Sequence, residues 1–350
     1  MTGAGEAVLT GRELNRSLLA RQLLLQRADL PIPAALEQVG GIQAQYAPAM
    51  YVALWSRLSG LARDDLTRAL EQRTVVQGTL MRVTIHLVSA ADYWPLAIGV
   101  RAARRAWWRR VTRGRIGDAE MRRVADRCRA RLAAGPLHRR ELEELAGKEA
   151  MTGLGPWLDL VRVPPSGTWE RRRADLYAAA EDWLGPPPAI DEEGAVEHLV
   201  RRYLQGFGPA PRRDIASWAG LPPGAVAAAT DRMTLRRFRD ERGGELLDLP
   251  GAPLPPGDAQ APVRLLPQWE TGLLAHGRRA GLLPEPYRER VFSSKNPQST
   301  PTFAVDGAVA GAWRYADGEV RLDPYEDVDP AALAQLRKEA RALAAFHSGA

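Results

Sequence analysis

At 350 residues with 45% hydrophobic content, the chain is long enough for two or three domains and too apolar to be broadly disordered. Its net charge of +6 is carried almost wholly by arginine, because Lys148, Lys295 and Lys338 are the only lysines, and guanidinium groups suit a phosphate-backbone partner. The lone Cys128 excludes an intrachain disulfide framework and a thiolate cluster, and the dispersed His86, His138, His198, His276 and His347 form no metal-ligand pair, so no metal or cofactor is expected.

The opening Met1-Thr2-Gly3-Ala4-Gly5-Glu6 has no basic segment leading into an apolar one, and no apolar run nears membrane-spanning length. A cytoplasmic protein without a membrane partner is expected. Helical periodicity covers 10–27, followed by a short amphipathic helix at 36–41 that ends on Gly40-Gly41. Gln43-Ala44-Gln45 comes next, set before an apolar helical segment at 47–58. Two amides between apolar elements either cap and solvate a helix start or form an uncharged polar site. Two extended runs, 74–78 and 81–88, then read as a hairpin, with β-branched Val83, Thr84 and Ile85 in the second.

This order recurs. Residues 139–147 align with 212–220, and 36–41 is a fainter copy of the same short helix stopped by glycine. Longer helical patterns precede the two clearer copies at 118–132 and 191–204, and further helical segments follow at 152–161 and 222–233. In the third copy the runs 234–239 and 246–249 flank Glu241-Arg242-Gly243-Gly244 as a second hairpin. Helix, helix, helix, hairpin is the winged-helix order, whose second and third helices form a helix-turn-helix. By this alignment the glutamine pair sits in the first helix-turn-helix turn, where the other copies carry Lys148-Glu149-Ala150 and Leu221-Pro222-Pro223.

Six prolines between 250 and 267 mark a boundary. Beyond it, 303–309 and 312–322 alternate around the turn signals Asp306-Gly307 and Asp317-Gly318, and 330–346 is a closing amphipathic helix. The expected organisation is α+β: winged-helix units over 8–117, 118–190 and 191–250, then a β-barrel-like module over 251–350. No dimerisation heptad is present, and a monomer is expected.

Basic residues fall where such units would meet nucleic acid. Arg101, Arg104, Arg105, Arg109, Arg110, Arg113 and Arg115 surround Trp107-Trp108 on a helix, a run that either lies on phosphates or is a solvated face. Arg171 and Arg172 fall in the second hairpin, and Arg236 and Arg237 in the third. In the first hairpin, Arg82, Thr84 and His86 share one face of a strand by period-two alternation.

These residues resemble a known family. Gln43-Ala44-Gln45, the run from Gly78 through Arg82 into Thr84-Ile85-His86-Leu87-Val88, and Leu265-Leu266-Pro267 with Tyr287-Arg288 and Val291-Phe292 are similar to the AlkZ and YcaQ winged-helix DNA glycosylases, over roughly 9 to 321. The resemblance implies three tandem winged helices and a C-terminal β-barrel around a basic channel. It also implies that Gln43 and Gln45 are catalytic, because the AlkZ branch carries Gln-apolar-Gln where the YcaQ branch ends in Asp. The chain departs from the family at Pro267-Gln268-Trp269-Glu270-Thr271, where Pro-Glu-Phe-Asp is expected.

A glutamine amide takes up no proton near neutral pH, but its carbonyl can orient a water and face a developing oxocarbenium sugar. That suffices where the leaving base is already cationic, as an N7-alkylated purine is. The expected activity is therefore monofunctional base excision on duplex DNA bearing alkylated or crosslinked purines. Arg82, Thr84, His86, Arg109, Arg110, Arg171, Arg172, Arg236 and Arg237 are the expected DNA contacts. The alternative is a non-catalytic winged-helix transcription regulator.

Overall fold

The computed structural model describes residues 6–275, 281–292 and 299–349; His276 and Lys295 lie outside them. Strand β1 (Val8–Leu9) leads into helix α1 (Gly11–Arg21), which a reciprocal capping box between Thr10 and Glu13 starts. The helix expected over 10–27 stops six residues early. Leu23 turns into left-handed φ at +56°, and the chain swings across so that Ala28 bridges Leu58.

A six-element order then occurs three times. The first runs α2 (Ile32–Val39), β2 (Ile42–Gln43), α3 (Ala47–Trp55), α4 (Arg63–Glu71), β3 (Val75–Thr79) and β4 (Ile85–Ser89). Helix α5 (Ala90–Val111) links it to α6 (Asp118–Leu132), β5 (Leu137–His138), α7 (Arg139–Ala146), α8 (Lys148–Gly153), β6 (Leu160–Arg162) and β7 (Leu176–Ala179). After the short α9 (Ala180–Leu184) come α10 (Glu192–Phe207), a single-residue bridge at Ala210, α11 (Arg212–Ala219), α12 (Pro223–Arg232), β8 (Arg236–Asp240) and β9 (Glu245–Asp248). Each time the short first strand pairs with the last one: Gln43 with His86, His138 with Leu176, Ala210 with Leu247.

That pairing corrects the sequence alignment of the first repeat. Its opening helix is α2, not 10–27, and 36–41 is the end of that helix, capped by Gly40 at φ +77°. Gln43 consequently lies in β2 and Gln45 just ahead of α3, rather than in a turn between the two later helices. Arg63–Glu71 is a helix that the sequence pattern does not predict. In the second repeat the helix expected over 152–161 ends at Gly153, and Leu160–Arg162 is strand. A Cβ on Gly153 would stand inside the Trp108 indole, so this close approach requires glycine.

The first two repeats share one six-stranded sheet, ordered β2-β4-β3-β6-β7-β5, joined where Gln77 and Gly78 pair with Arg162 and Val161. In the third, β1 adds in parallel to β8, and α1 packs on α10, so the N-terminal segment is built into the last repeat. Helices α5 and α10 pack along the centre, over a core that includes Tyr203, Phe207 and Trp218.

The C-terminal part is a four-stranded antiparallel sheet: β10 (Arg264–Leu266), β11 (Thr302–Val305), β12 (Ala308–Ala316) and β13 (Glu319–Pro324). Both expected turns form, with φ positive at Asp306, Gly307, Asp317 and Gly318 as a two-residue hairpin loop requires. The strand order is linear and β10 and β13 do not pair, so the expected barrel is not closed among the described residues. Between β10 and β11 lie α13 (Thr271–Leu274) and α14 (Arg288–Val291); α15 (Pro330–Ser348) closes the chain and buries Leu336, Leu343 and Phe346. The architecture is α+β throughout.

Candidate active site

Gln43 is held from three directions. Its strand pairs with His86, its main-chain nitrogen faces the Thr271 hydroxyl at 3.4 Å, and its Oε1 accepts a hydrogen bond from Arg82 Nη2 at 3.1 Å. Gln45 is exposed, and its Oε1 accepts from the Ile85 main-chain N–H at 3.2 Å. Both partners are donors, which fixes the oxygen, not the nitrogen, of each amide at that position. Each oxygen keeps one lone pair, and each NH2 stays available.

Arg82 is aimed by an unusual turn. Between β3 and β4, Arg82 and Val83 adopt left-handed φ of +51° and +58°; for a β-branched valine this is a strained conformation. The turn sends the guanidinium across to the third repeat, where Nη1 donates to the Trp218 carbonyl at 2.7 Å near the end of α11. Gly220 caps that helix, and a Cβ there would lie 3.2 Å from the Arg82 nitrogen. Burial lowers the Arg82 pKa to about 10, which leaves it charged at neutral pH.

His86 has no exposed surface. Burial first, and the nearby Arg82 charge second, push its pKa down to about 3, so the ring is neutral. Nδ1 lies 3.1 Å from the Thr84 carbonyl, a geometry that places the ring proton on Nδ1. Nε2 is then an acceptor, and it is buried without a hydrogen-bond partner. Thr84 is half-buried and donates its hydroxyl to the Met81 carbonyl.

Two clefts flank this group. One, of about 900 Å³, begins at Tyr46 beside Gln45 and is lined by Arg172, Gln268, Trp313, Tyr315 and His347. Arg172, from the loop between β6 and β7, donates to the Tyr46 hydroxyl at 3.1 Å, so the second repeat reaches the first at the glutamine pair. Tyr315 stacks on His347 at 4.2 Å. The other cleft, of about 940 Å³, contains Arg82 and Thr79 of the first repeat, Arg110 of the linking helix α5, Arg139 and Arg162 of the second, and Gly220 and Leu221 of the third.

Gln43, Gln45, Arg82, Thr84 and His86 are thus brought together, with Arg172 adjacent and Arg110 on a cleft that Arg82 shares. Arg171 is exposed on the same loop as Arg172. Arg109 pairs with Asp118 at 2.5 Å, outside both clefts. Arg236 lies over the Phe238 ring and Arg237 pairs with Glu245, both on β8 of the third repeat and apart from the glutamines. Sequence reasoning missed Tyr46, Thr271 and the buried Arg162, and named Arg104 only within the basic run around Trp107-Trp108. Only Thr271 had a signal, as the residue that follows the divergent Pro-Gln-Trp-Glu segment.

In that segment Glu270 is fully buried against Arg57, Oε1 to Nη2 at 2.6 Å, and caps α13 through the Gly272 N–H. Arg57 also donates to Gln22, whose own amide satisfies the Val39 and Gly206 carbonyls. Glu270 therefore ties the C-terminal module to the first and third repeats. Among the described residues no group of three acidic, cysteine or histidine side chains has the spacing to hold a metal ion, and no helix is long and apolar enough to cross a membrane.

Comparison with known proteins places this α+β scaffold among the DNA glycosylases. The family described as DNA glycosylase AlkZ-like matches residues 36–346, and the chain belongs to that family. A curated relative from Streptomyces sahachiroi, named interstrand DNA cross-link repair glycosylase, is 24% identical over 361 residues and covers 93% of each chain. The solved structure of Streptomyces sahachiroi DNA glycosylase AlkZ superposes with a TM-score of 0.80 at 20% identity, over 98% of this chain and 97% of the other, a likeness of fold.

Proposed function

We propose that this protein is a monofunctional DNA glycosylase that hydrolyses the N-glycosidic bond of N7-alkylated purines in double-stranded DNA. It works as a cytoplasmic monomer. Its three repeats are read as winged-helix units, and the C-terminal sheet as the remaining wall of the DNA-binding channel. Family membership supports glycosylase chemistry; the amide pair supports the substrate class.

The observation that carries the reading is the neutrality of the pair. Gln43 and Gln45 have their oxygens held by a guanidinium and a main-chain N–H, and neither amide acts as an acid or a base near neutral pH. Acid catalysis is unnecessary when the base leaves from a cationic purine, since breaking C1′–N9 neutralises it. The remaining lone pairs on the two oxygens orient a water, whose oxygen bonds to C1′ while its proton passes to solvent. The same dipoles face the positive charge that develops on the sugar. Arg82 positions Gln43, Thr84 and the buried His86 shape the turn that carries Arg82, and Arg110, Arg171 and Arg172 meet phosphates. Arg109, Arg236 and Arg237 lie further out and contribute at most to the outer DNA path.

The named activity of the Streptomyces sahachiroi relative extends the proposal to unhooking of interstrand crosslinks joined through purine N7. Replacing Gln43 and Gln45 together by alanine is expected to abolish release of 7-methylguanine while duplex binding persists. Wild-type release by the double variant would sink the assignment. Binding with no release by the wild type would instead support a DNA-binding regulator.

A further inference from the structure

The arginine-lined cleft holds more buried positive charge than the protein itself compensates. Arg104 of α5 and Arg162 of β6 are each 8% exposed, and both line it. They converge on one residue: Arg104 Nη1 donates to the Thr79 carbonyl at 2.7 Å, and Arg162 Nη1 to the Thr79 hydroxyl at 3.1 Å. The Nε of each is buried without a hydrogen-bond partner. Asp159, the one carboxylate on the lining, already pairs with Arg101 at 2.8 Å, and the neighbouring Arg139 pairs with Glu143.

Among the described residues neither Arg104 nor Arg162 has an ion-pair partner. Each lies within electrostatic reach of the other, and this repulsion adds to burial in lowering the Arg104 pKa. The Asp159 carboxylate acts on Arg104 from a distance while bonded to Arg101, and Arg162 lies over the Tyr177 ring, so two desolvated like charges share one carboxylate that is already paired, which is costly in a folded protein. Gly155 makes room for one of them, because a Cβ there would fall 2.5 Å from Arg104 Nη2. The arrangement is that of a site built for an anion.

We propose that Arg104 and Arg162 bind a single backbone phosphate of the DNA, in the cleft whose other wall carries Arg82. The ligand chemistry is phosphate, and the source is a phosphodiester; guanidinium pairs match its oxygens in geometry and charge. Arg82 lines the same cleft and holds Gln43, so a phosphate seated here fixes the strand relative to the amide pair. This inference rests on the DNA reading of the previous section, not on which base is released.

The test uses undamaged duplexes carrying one uncharged methylphosphonate linkage at successive positions, titrated against wild type, Arg104→Met, Arg162→Met and the double variant. The wild type is expected to bind roughly tenfold more weakly when one or two adjacent linkages are neutralised. The double variant is expected to bind the intact duplex roughly tenfold more weakly and to be indifferent at those positions alone. A double variant that keeps the complete wild-type profile overturns the site. Arg162→Lys keeps the charge and should keep the profile, which serves if the methionine variants do not melt cooperatively; loss of the profile in a folded Arg162→Lys would also count against the proposal.

Inorganic phosphate supplies the second arm. If it raises the wild-type melting temperature while no linkage shows a variant-dependent effect, the site takes a free anion and the DNA assignment is overturned. Because undamaged duplex needs no base release, an inactive glycosylase with an intact position profile refutes the function and leaves this site standing. Absence of duplex binding by the wild type removes both.

Discussion

Arg82→Met separates a positioning role from a structural one. In the wild type the Arg82 guanidinium makes two charge-assisted hydrogen bonds, to Gln43 Oε1 at 3.1 Å and to the Trp218 carbonyl at 2.7 Å. Each such bond contributes about 1.5–3 kcal/mol. Against them stands the burial that moves the Arg82 pKa from 12.5 to about 10, equivalent to about 3 kcal/mol against the charged form. Methionine removes both the bonds and the buried charge, so the net stability change is expected to stay within roughly 3 kcal/mol. The Gln43 oxygen meanwhile loses the donor that fixes its direction, and losing 1.5–3 kcal/mol of orientation slows base release about 10- to 100-fold. Single-turnover release of 7-methylguanine, with urea denaturation of the same preparation, measures both quantities. A folded variant with a rate within about twofold of wild type would refute the reasoning, because an amide without its donor has no reason to keep its direction.

Glu270→Gln leaves Arg57 buried without its counter-charge and is expected to cost about 3–5 kcal/mol in urea denaturation; an unchanged midpoint would deny the pair its role in joining the C-terminal module to the repeats. His86 has a folded pKa of about 3 against about 6.5 unfolded, so as pH falls the unfolded chain takes up the proton first. Its contribution to stability is full above about pH 6.5 and declines below it, a loss of about 2 kcal/mol at pH 5 that His86→Asn should remove from the wild-type pH profile. Borohydride reduction during turnover is expected to trap no covalent DNA adduct: Lys148 and Lys338 are exposed on α8 and α15, outside the first repeat that carries the glutamine pair, and a trapped adduct would mean a lyase route through another amine.

The sequence displayed the repeat through its glycine-stopped helices, since Gly147 and Gly220 both carry the positive φ that ends a helix. It misaligned the first copy because Gly40 stops a helix in the same way, although at a different step of the order. Strand pairing settles the register, and pairing partners far apart in sequence leave no local periodicity. The glutamines were legible because two amides among apolar residues are conspicuous. Arg82's link to Gln43 was not, because it depends on a left-handed turn at Arg82-Val83 that neither residue favours. Arg162 was hidden and Arg104 was not set apart from its run for a further reason: in a chain rich in arginine, only burial and the lack of an ion-pair partner among the described residues distinguish two of them from a solvated face.

The correction to the first repeat alters why the glutamine pair can be specific to one copy. In a turn between two helices, a polar pair would compete with helix capping, and each repeat would be free to solve that locally. At the junction of the short strand with the next helix, Gln43 stands directly opposite a residue of the final strand, so its chemistry is set by that partner. The partner is His86 in the first repeat; the corresponding pairs are His138 with Leu176 and Ala210 with Leu247 in the others. A buried neutral histidine beside a buried amide needs Arg82 nearby to satisfy the amide oxygen, and Arg82 reaches it only because α11 of the third repeat offers the Trp218 carbonyl as a second anchor. The candidate site is therefore composite: its amides belong to the first repeat, its orienting contact is braced by the third, and Arg172 of the second closes on Tyr46 beside it. An isolated first repeat would keep both glutamines and lose the direction of Gln43.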